Sequence, residues 1–77
     1  MKKIDLQVKY LPDGEMIPVQ FTCQDQTFLV TDIGRNWQDE QGTHILVLTG
    51  QGTASELILS SKDAAWYIKQ KPIHLKI

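Results

Sequence analysis

One arginine and two tryptophans are the residues of this chain best suited to bind a partner. Arg35 and Trp37 lie two positions apart in a polar stretch, and Trp66 lies near the end of the sequence. Trp and Arg dominate binding hot spots because they bury a large area and still offer hydrogen-bond donors. Aromatic and Arg side chains on a sheet also stack the bases of single-stranded nucleic acid. We therefore predict a binding site composed of Arg35, Trp37 and Trp66.

A structural role is the alternative for both tryptophans. In that case Trp37 folds back over the open end of a barrel and Trp66 completes the core, as large aromatic side chains often do in small domains. The two interpretations differ in what Trp37→Ala does. If Trp37 has the structural role, Trp37→Ala lowers the thermal stability of the domain. If Trp37 is a contact residue, the substitution abolishes partner binding and leaves the fold intact.

The side chains that could support catalysis or bind a metal are few and scattered. Cys23, His44 and His74 occur at none of the paired spacings of closed zinc sites, which need about four such ligands. We expect Cys23 to be a small buried apolar side chain. Asp39 and Glu40 are adjacent carboxylates, and we expect both to be solvated on a polar loop. Phosphate-binding and nucleophile motifs are also absent from the sequence, so we predict no metal, no cofactor and no enzyme.

Composition and charge describe one small globular domain. The chain has 77 residues, 42% of them hydrophobic, with a net charge of −1 and a pI near 6.0. This charge balance does not support a general electrostatic attraction to nucleic acid. A single cysteine and no signal-peptide pattern lead us to expect a reducing, bacterial-type cytosol. No apolar run approaches the roughly 20 residues that cross a bilayer. We expect the partner to be another protein, or a second copy in a homodimer.

Alternating apolar and polar residues predict strands along most of the chain. The alternation favours strands near 3–10, 16–23, 27–33, 43–49 and 54–60. Apart from 60–72, the connections are too short for a parallel crossover, so we predict antiparallel pairing. The predicted fold is all-β, a small and strongly curved sheet of five or six strands or a barrel. Residues 34–42, bounded by glycines, are predicted to form the one long loop.

The fourth and fifth predicted strands flank a glycine-rich turn and are the expected centre of the sheet. A loop of two or four residues pairs Leu46 with Leu57 and Ile45 with Ile58. A three-residue loop instead sets Glu56 against Leu46 and mixes the two faces, so we predict the first register. The predicted core contains Leu6, Val8, Val19, Phe21, Phe28, Val30, Leu46, Leu48, Leu57 and Leu59.

The C-terminal part admits two interpretations. Residues 61–71 have the serine cap, acidic first turn and basic last turn of a short helix, which would make the domain α+β. Trp66-Tyr67-Ile68 is also a good strand after a Ser-Lys-Asp turn. Propensity by itself favours the helix slightly. Residues 73–77 alternate and either pair as a last strand or fray.

The spacing of residues between 17 and 68 resembles that of a known family. The residues that carry the resemblance are Pro18-x-x-Phe21, Phe28-x-Val30, Arg35-x-Trp37, His44-x-Leu46-Val47, Glu56-Leu57 and Trp66-Tyr67-Ile68. The chain departs from the family pattern at Cys23 and Gln26, where an aromatic residue and a glycine are expected. The family consists of small bacterial domains of unknown function. It is itself similar to the C-terminal domain of the inactive Y-family-polymerase-like proteins of bacterial mutagenesis operons.

The resemblance implies an all-β accessory or interaction domain, with Trp66-Tyr67-Ile68 on a strand. It therefore favours turn plus strand over a helix near 61–71. Two functions follow from the sequence. One is a cytosolic protein-interaction module that uses the 34–43 loop and a sheet edge. The other is a small nucleic-acid-associated domain linked to DNA repair, which salt-dependent binding to single-stranded DNA would identify.

Overall fold

The computed structural model describes residues 1–69 and 73–74, and within them the chain is all-β, as predicted. The described residues contain no helix, and therefore none long and apolar enough to cross a membrane. The strands are β1 (Lys2–Lys3), β2 (Asp5–Tyr10), β3 (Met16–Cys23), β4 (Gln26–Asp39), β5 (Gly42–Thr49), β6 (Thr53–Ser60), β7 (Trp66–Ile68) and β8 (Ile73–His74).

The strands form one antiparallel sheet that curls into a half-barrel. Their order is β1-β7-β6-β5-β4-β3-β2, and β8 pairs with the start of β6. The two ends of this order are neighbours in the sequence, because only Ile4 separates β1 from β2. The Ile4 N–H donates to the carbonyl of Trp66 at 3.0 Å. This hydrogen bond continues the β1–β7 ladder, and the chain then passes directly into β2, so the two ends of the sheet lie close together.

Strand β4 contradicts the predicted loop at 34–42. It continues to Asp39, and Gly42 already begins β5, so that only Glu40 and Gln41 form the turn. A polar stretch can form a strand when its side chains face water and its backbone pairs with a neighbour. At Gly42, where φ is +139°, a Cβ would overlap the backbone carbonyl of Leu59. The glycine thus serves a close approach of β5 to β6, not the flexibility of a loop.

The predicted register of the central hairpin is wrong by one residue. Ile45 pairs with Leu57, and Leu46 pairs with Glu56. The connection is the three-residue turn 50–52, in which Gly52 has a φ of +75° and donates its N–H to Thr49 at 3.0 Å. A glycine with positive φ at the third position is the usual way to close such a loop. The local turn geometry therefore outweighed the mixing of faces on which the prediction relied.

The core differs from the predicted one mainly because of these shifts. Phe21, Phe28 and Leu57 are buried as predicted, and Leu6 and Val30 pack against them. Of the other predicted members, Val19 and Leu46 are exposed, and Val8, Leu48 and Leu59 are half-buried. The buried apolar residues that the prediction missed are Ile4, Ile45, Val47 and Ile68 in the core, and Ile58 on the opposite face of the sheet.

Val19 is exposed because of a bulge between β2 and β3. Gln7 pairs with Gln20 but Val8 pairs with Pro18, so Val19 has no partner on β2. An extra residue of this kind reverses the alternation of the strand beyond it. Pro18 is buried, and the beginning of β3 pairs with β2 alone among the described strands, as its missing N–H predicts.

The sheet opens between the first half of β3 and the second half of β4. These strands pair only through residues 20–23 and 26–29, and a cavity of about 260 Å³ lies beyond them. The edge of β4 that has no partner from β3 there is protected from pairing with a further strand. Asp32 accepts the N–H of its neighbour Ile33 at 2.8 Å, and the pairing with β5 is shifted twice. Such bulges and local caps discourage the addition of another strand.

Residues 61–69 adopt the turn plus strand, so the helix is wrong over this range, and residues 70–71 lie outside the described residues. Ser60 Oγ accepts the N–H of Lys62 at 3.2 Å, and Asp63 Oδ1 accepts that of Ala65 at 3.1 Å. Ala64 has a φ of +57°, which ends any helix. The Ser and Asp side chains satisfy the backbone outside a helix, which is why they favour turns as well as caps. Residues 73–74 pair with β6, and residues 75–77 lie outside the described part.

Candidate functional site

The candidate site lies on the outer face of the sheet, opposite the core. Directly paired residues share a face, and Trp37, His44, Ile58 and Tyr67 form one row across β4, β5, β6 and β7. The neighbouring row, which begins with Ile45, faces the core. The outer face therefore receives the alternate residues of each strand, including Asp39 and Glu56, which lie diagonally from His44.

His44 forms the centre of this face. It is only 1% exposed, and both of its ring nitrogens contact carboxylates. Nε2 lies 2.7 Å from Asp39 Oδ1, and Nδ1 lies 2.9 Å from Glu56 Oε2. Ionised carboxylates only accept hydrogen bonds, so both nitrogens must carry a proton for both bonds to form. His44 is thus the cation of an Asp39–His44–Glu56 clamp that joins β4, β5 and β6.

The pKa values agree with this arrangement. Burial by itself lowers the pKa of His44, but the hydrogen bonds to Asp39 and Glu56 raise it more, and the net pKa lies above the ordinary 6.5. The hydrogen bond from His44 holds the pKa of Asp39 below the ordinary 3.8, against the opposing effect of desolvation. Lys69 adds a further cation, with Nζ 3.6 Å from Glu56 Oε2.

Three planar groups form a stack that begins with His44 of the clamp and continues through Trp37 to Arg35. The ring of Trp37 stacks on that of His44, with centroids 5.0 Å apart and planes inclined by 8°. The guanidinium carbon of Arg35 lies 5.0 Å from the centroid of Trp37, on a ring that is half-buried. Cation–π attraction favours both a guanidinium and an imidazolium beside indole. The clamp therefore holds His44, which supports Trp37, which in turn orients Arg35.

Arg35 is the exposed end of this stack. Among residues 1–69 and 73–74, no carboxylate lies within ion-pair distance of it. Two acidic residues flank it along the outer face of β4: Asp39 is bound to His44, and Asp32 accepts the N–H of Ile33. A guanidinium that is oriented but not neutralised has its fork of donors available to an incoming group.

The structure brings Arg35 and Trp37 together and separates Trp66 from them. Trp66 pairs with Leu59 and packs against the core, on the other face of the sheet, so it is not part of the candidate surface. Its position fits the structural role that was the alternative for this residue. Trp37 matches neither interpretation fully, because it is half-buried by Arg35 and His44 without entering the core.

The sequence prediction missed the clamp. Asp39 is exposed, as expected, but a loop at 34–42 predicts no contact between it and His44, which occurs at no paired ligand spacing in the sequence. Extending β4 through the polar residues to a turn at 40–41 sets Trp37 opposite His44 and Asp39 on its diagonal. Arg35, Trp37 and Asp39 occur at every second position, and this alternation is the sequence signal for a strand in this range.

Binding is the chemistry that this arrangement supports. With both nitrogens of His44 bonded to carboxylates, the ring has no free lone pair for a metal ion or for proton abstraction. Within the described part of the chain, no group of three or more His, Cys, Asp or Glu side chains could hold a metal ion. Cys23 is free and packs against the core, on the other side of the sheet from His44.

Comparisons of the chain with family models, with curated proteins and with solved structures found no match. The resemblance to the small bacterial domain family therefore stays a prediction.

Proposed function

We propose that this domain is a non-catalytic protein-interaction module whose contact surface is the outer face of β4. The observation that carries the proposal is the Arg35–Trp37–His44 stack, in which the clamp around the buried His44 supports Trp37, and an exposed arginine lies against the Trp37 ring. The contact surface is therefore a strand face, in place of the 34–43 loop that the sequence suggested.

A fixed arginine is suited to binding because less side-chain freedom is lost when the partner arrives. Ordering one flexible side chain costs about 0.5–1.5 kcal/mol in an interface. The stack on Trp37 meets part of that cost in the free domain. Planar donors in a fork match a carboxylate with two parallel hydrogen bonds, so the partner group expected at Arg35 is an aspartate or glutamate.

Nucleic acid is the second candidate, because an aromatic residue and an arginine on a sheet can stack bases. Three features weigh against it. His44 and Arg35 cover the ring of Trp37, the carboxylates of Asp39 and Glu56 lie beside it, and the net charge is −1. A link to DNA repair depends on the family resemblance. A cytosolic location is supported by the single cysteine, Cys23, which is a free thiol that packs against the core.

Affinity capture with matched variants tests the proposal. The wild-type domain, Arg35→Ala and Lys62→Ala are immobilised at equal density, and proteins from the source lysate are quantified by mass spectrometry. Lys62 is the control because it is an exposed cation in the turn before β7, away from the stack. We expect one set of proteins to be retained by wild type and Lys62→Ala and lost by Arg35→Ala, with all three domains melting alike.

Equal capture by Arg35→Ala would contradict the proposed surface. Binding of single-stranded DNA that falls steeply with salt and is lost in Arg35→Ala would identify the second candidate instead, since phosphate contacts release counterions. Sedimentation of the purified domain shows whether a second copy is the partner. In that case Arg35→Ala should shift the dimer toward monomer and Lys62→Ala should not.

A further inference from the structure

We propose that the proton on His44 latches the turn between β4 and β5, so that its loss frees the turn and loosens the Arg35–Trp37 stack. The device rests on the proposed function, because it would regulate the same surface. It follows from the contacts that the two carboxylates of the clamp, on Asp39 and Glu56, make with His44 and with the turn between β4 and β5.

The oxygen of Asp39 that His44 contacts also holds the turn. Asp39 Oδ1 accepts the N–H of Gln41 at 2.8 Å and faces Nε2 of His44 at 2.7 Å. The turn is further joined to the residue after β6, since Ser61 N–H donates to the carbonyl of Gln41 at 2.9 Å. A change at the imidazole therefore reaches the backbone of the turn through one carboxylate oxygen.

The number of protons on the ring decides how many carboxylates it can bind. A neutral imidazole has one N–H, and its other nitrogen presents a lone pair. One of the two carboxylates would then face this lone pair at under 3 Å, since the two contacts are 2.7 and 2.9 Å. Two acceptors at that distance repel each other, so the neutral ring keeps one carboxylate and releases the other.

Asp39 is the carboxylate that is released. Its side chain is 46% exposed, whereas that of Glu56 is 16% exposed and also faces Lys69. A carboxylate that reaches water loses little by leaving a partner, but a buried one that loses its partner is left desolvated. The neutral ring therefore keeps its hydrogen bond to Glu56, and Asp39 turns outward and withdraws its support from Gln41.

The charges around the ring favour its protonated form. Asp39 and Glu56 contact the ring from β4 and β6, whereas the nearby cations contact Trp37 or Glu56. Trp37 separates Arg35 from the His44 ring, and Lys69 forms an ion pair with Glu56. Tyr67 of β7, in the same row as His44, is neutral and donates its hydroxyl proton to Asp63. Lys3 of β1 pairs with Tyr67 at the far end of the row. The pKa of His44 accordingly lies above 6.5, and the latch opens as the pH rises through that raised value.

Nuclear magnetic resonance on the isolated domain tests the latch without any partner. The ring signals of His44, the amide of Gln41 and the fluorescence of Trp37 in a Trp66→Phe background are followed from about pH 5 to about pH 9, which brackets the ordinary titration of His. We expect all three to change with one midpoint above the ordinary His value. The amide of Ala65, which Asp63 holds at 3.1 Å in another turn, is the internal control.

Opening should speed hydrogen exchange at Gln41 about tenfold relative to Ala65, once the intrinsic effect of pH is removed, because a charge-assisted network is lost. Asp39→Asn should lower the His44 midpoint and abolish the linked change at Trp37. Asp63→Asn, the matched change in the other turn, should leave both as they are. His44→Gln should make Trp37 insensitive over this pH range.

A His44 midpoint at or below the ordinary value would overturn the latch, and so would a Gln41 amide that does not follow that midpoint. Neither result bears on capture by Arg35, which is measured with a partner at one pH. The latch and the proposed function can therefore fail separately.

Discussion

His44→Leu should destabilise the domain by leaving one carboxylate unpaired in a poorly hydrated place. His44 is 1% exposed and lies between Asp39 and Glu56. After the substitution Asp39 is hydrated at little cost, because its side chain is 46% exposed. Glu56 is 16% exposed and keeps only the contact with Lys69 at 3.6 Å. The loss should come mainly from Glu56.

The magnitude follows from how buried each contact is. Removing one partner of a fully buried ion pair costs about 3–5 kcal/mol, whereas an exposed pair contributes about 0–1 kcal/mol. Glu56 is partly hydrated and retains Lys69, so we expect a loss of about 2–4 kcal/mol. A domain of 77 residues has a free energy of unfolding of about 4–12 kcal/mol, so the change is readily measured.

Urea unfolding of a double-mutant cycle is the assay. His44→Leu/Glu56→Leu should recover at least half of the loss, since a buried ion pair can be replaced by apolar side chains at little cost. The single Glu56→Leu variant completes the cycle. If the two single effects simply add within about 0.5 kcal/mol, His44 and Glu56 are not coupled and the clamp is not ionic.

Three further predictions concern the sheet and the clamp. Leu57→Ala, at a fully buried position, should cost about 2–5 kcal/mol in chemical unfolding, whereas the exposed Leu46→Ala should cost under about 1 kcal/mol; equal effects would contradict the observed register. Gly42→Ala should lower the melting temperature strongly, because a Cβ would overlap the carbonyl of Leu59, while Gly50→Ala, which meets only a methyl group at 3.8 Å, should melt almost as wild type. The stability that His44 contributes should be complete below pH 6.5 and lost as the pH rises through its raised folded pKa; a thermal melt of His44→Leu at several pH values should lack this alkaline fall.

Local patterns predicted the strands well and their pairing poorly. Strand β3 was predicted at its observed bounds, and β5 and β6 each begin one residue earlier than predicted. Turn residues explain this success, since Gly14 has a φ of +89°, which glycine adopts readily, and Gln24 and Asp25 close a polar turn. The shift in the central hairpin arose because Gly52, a single residue, determines which residues on the two strands face each other.

The class of fold follows from the order of residues alone, since period-two alternation and turn residues act within a few neighbouring positions. The sequence also pointed to Arg35 and Trp37, because their chemistry suits binding wherever they lie. The pairing of the strands is what places Trp66 against the core and His44 between Asp39 and Glu56. These outcomes depend on which residues of different strands lie opposite each other. A slip of one residue moves a whole strand to the other face, and the spacing of residues along one strand does not record that choice.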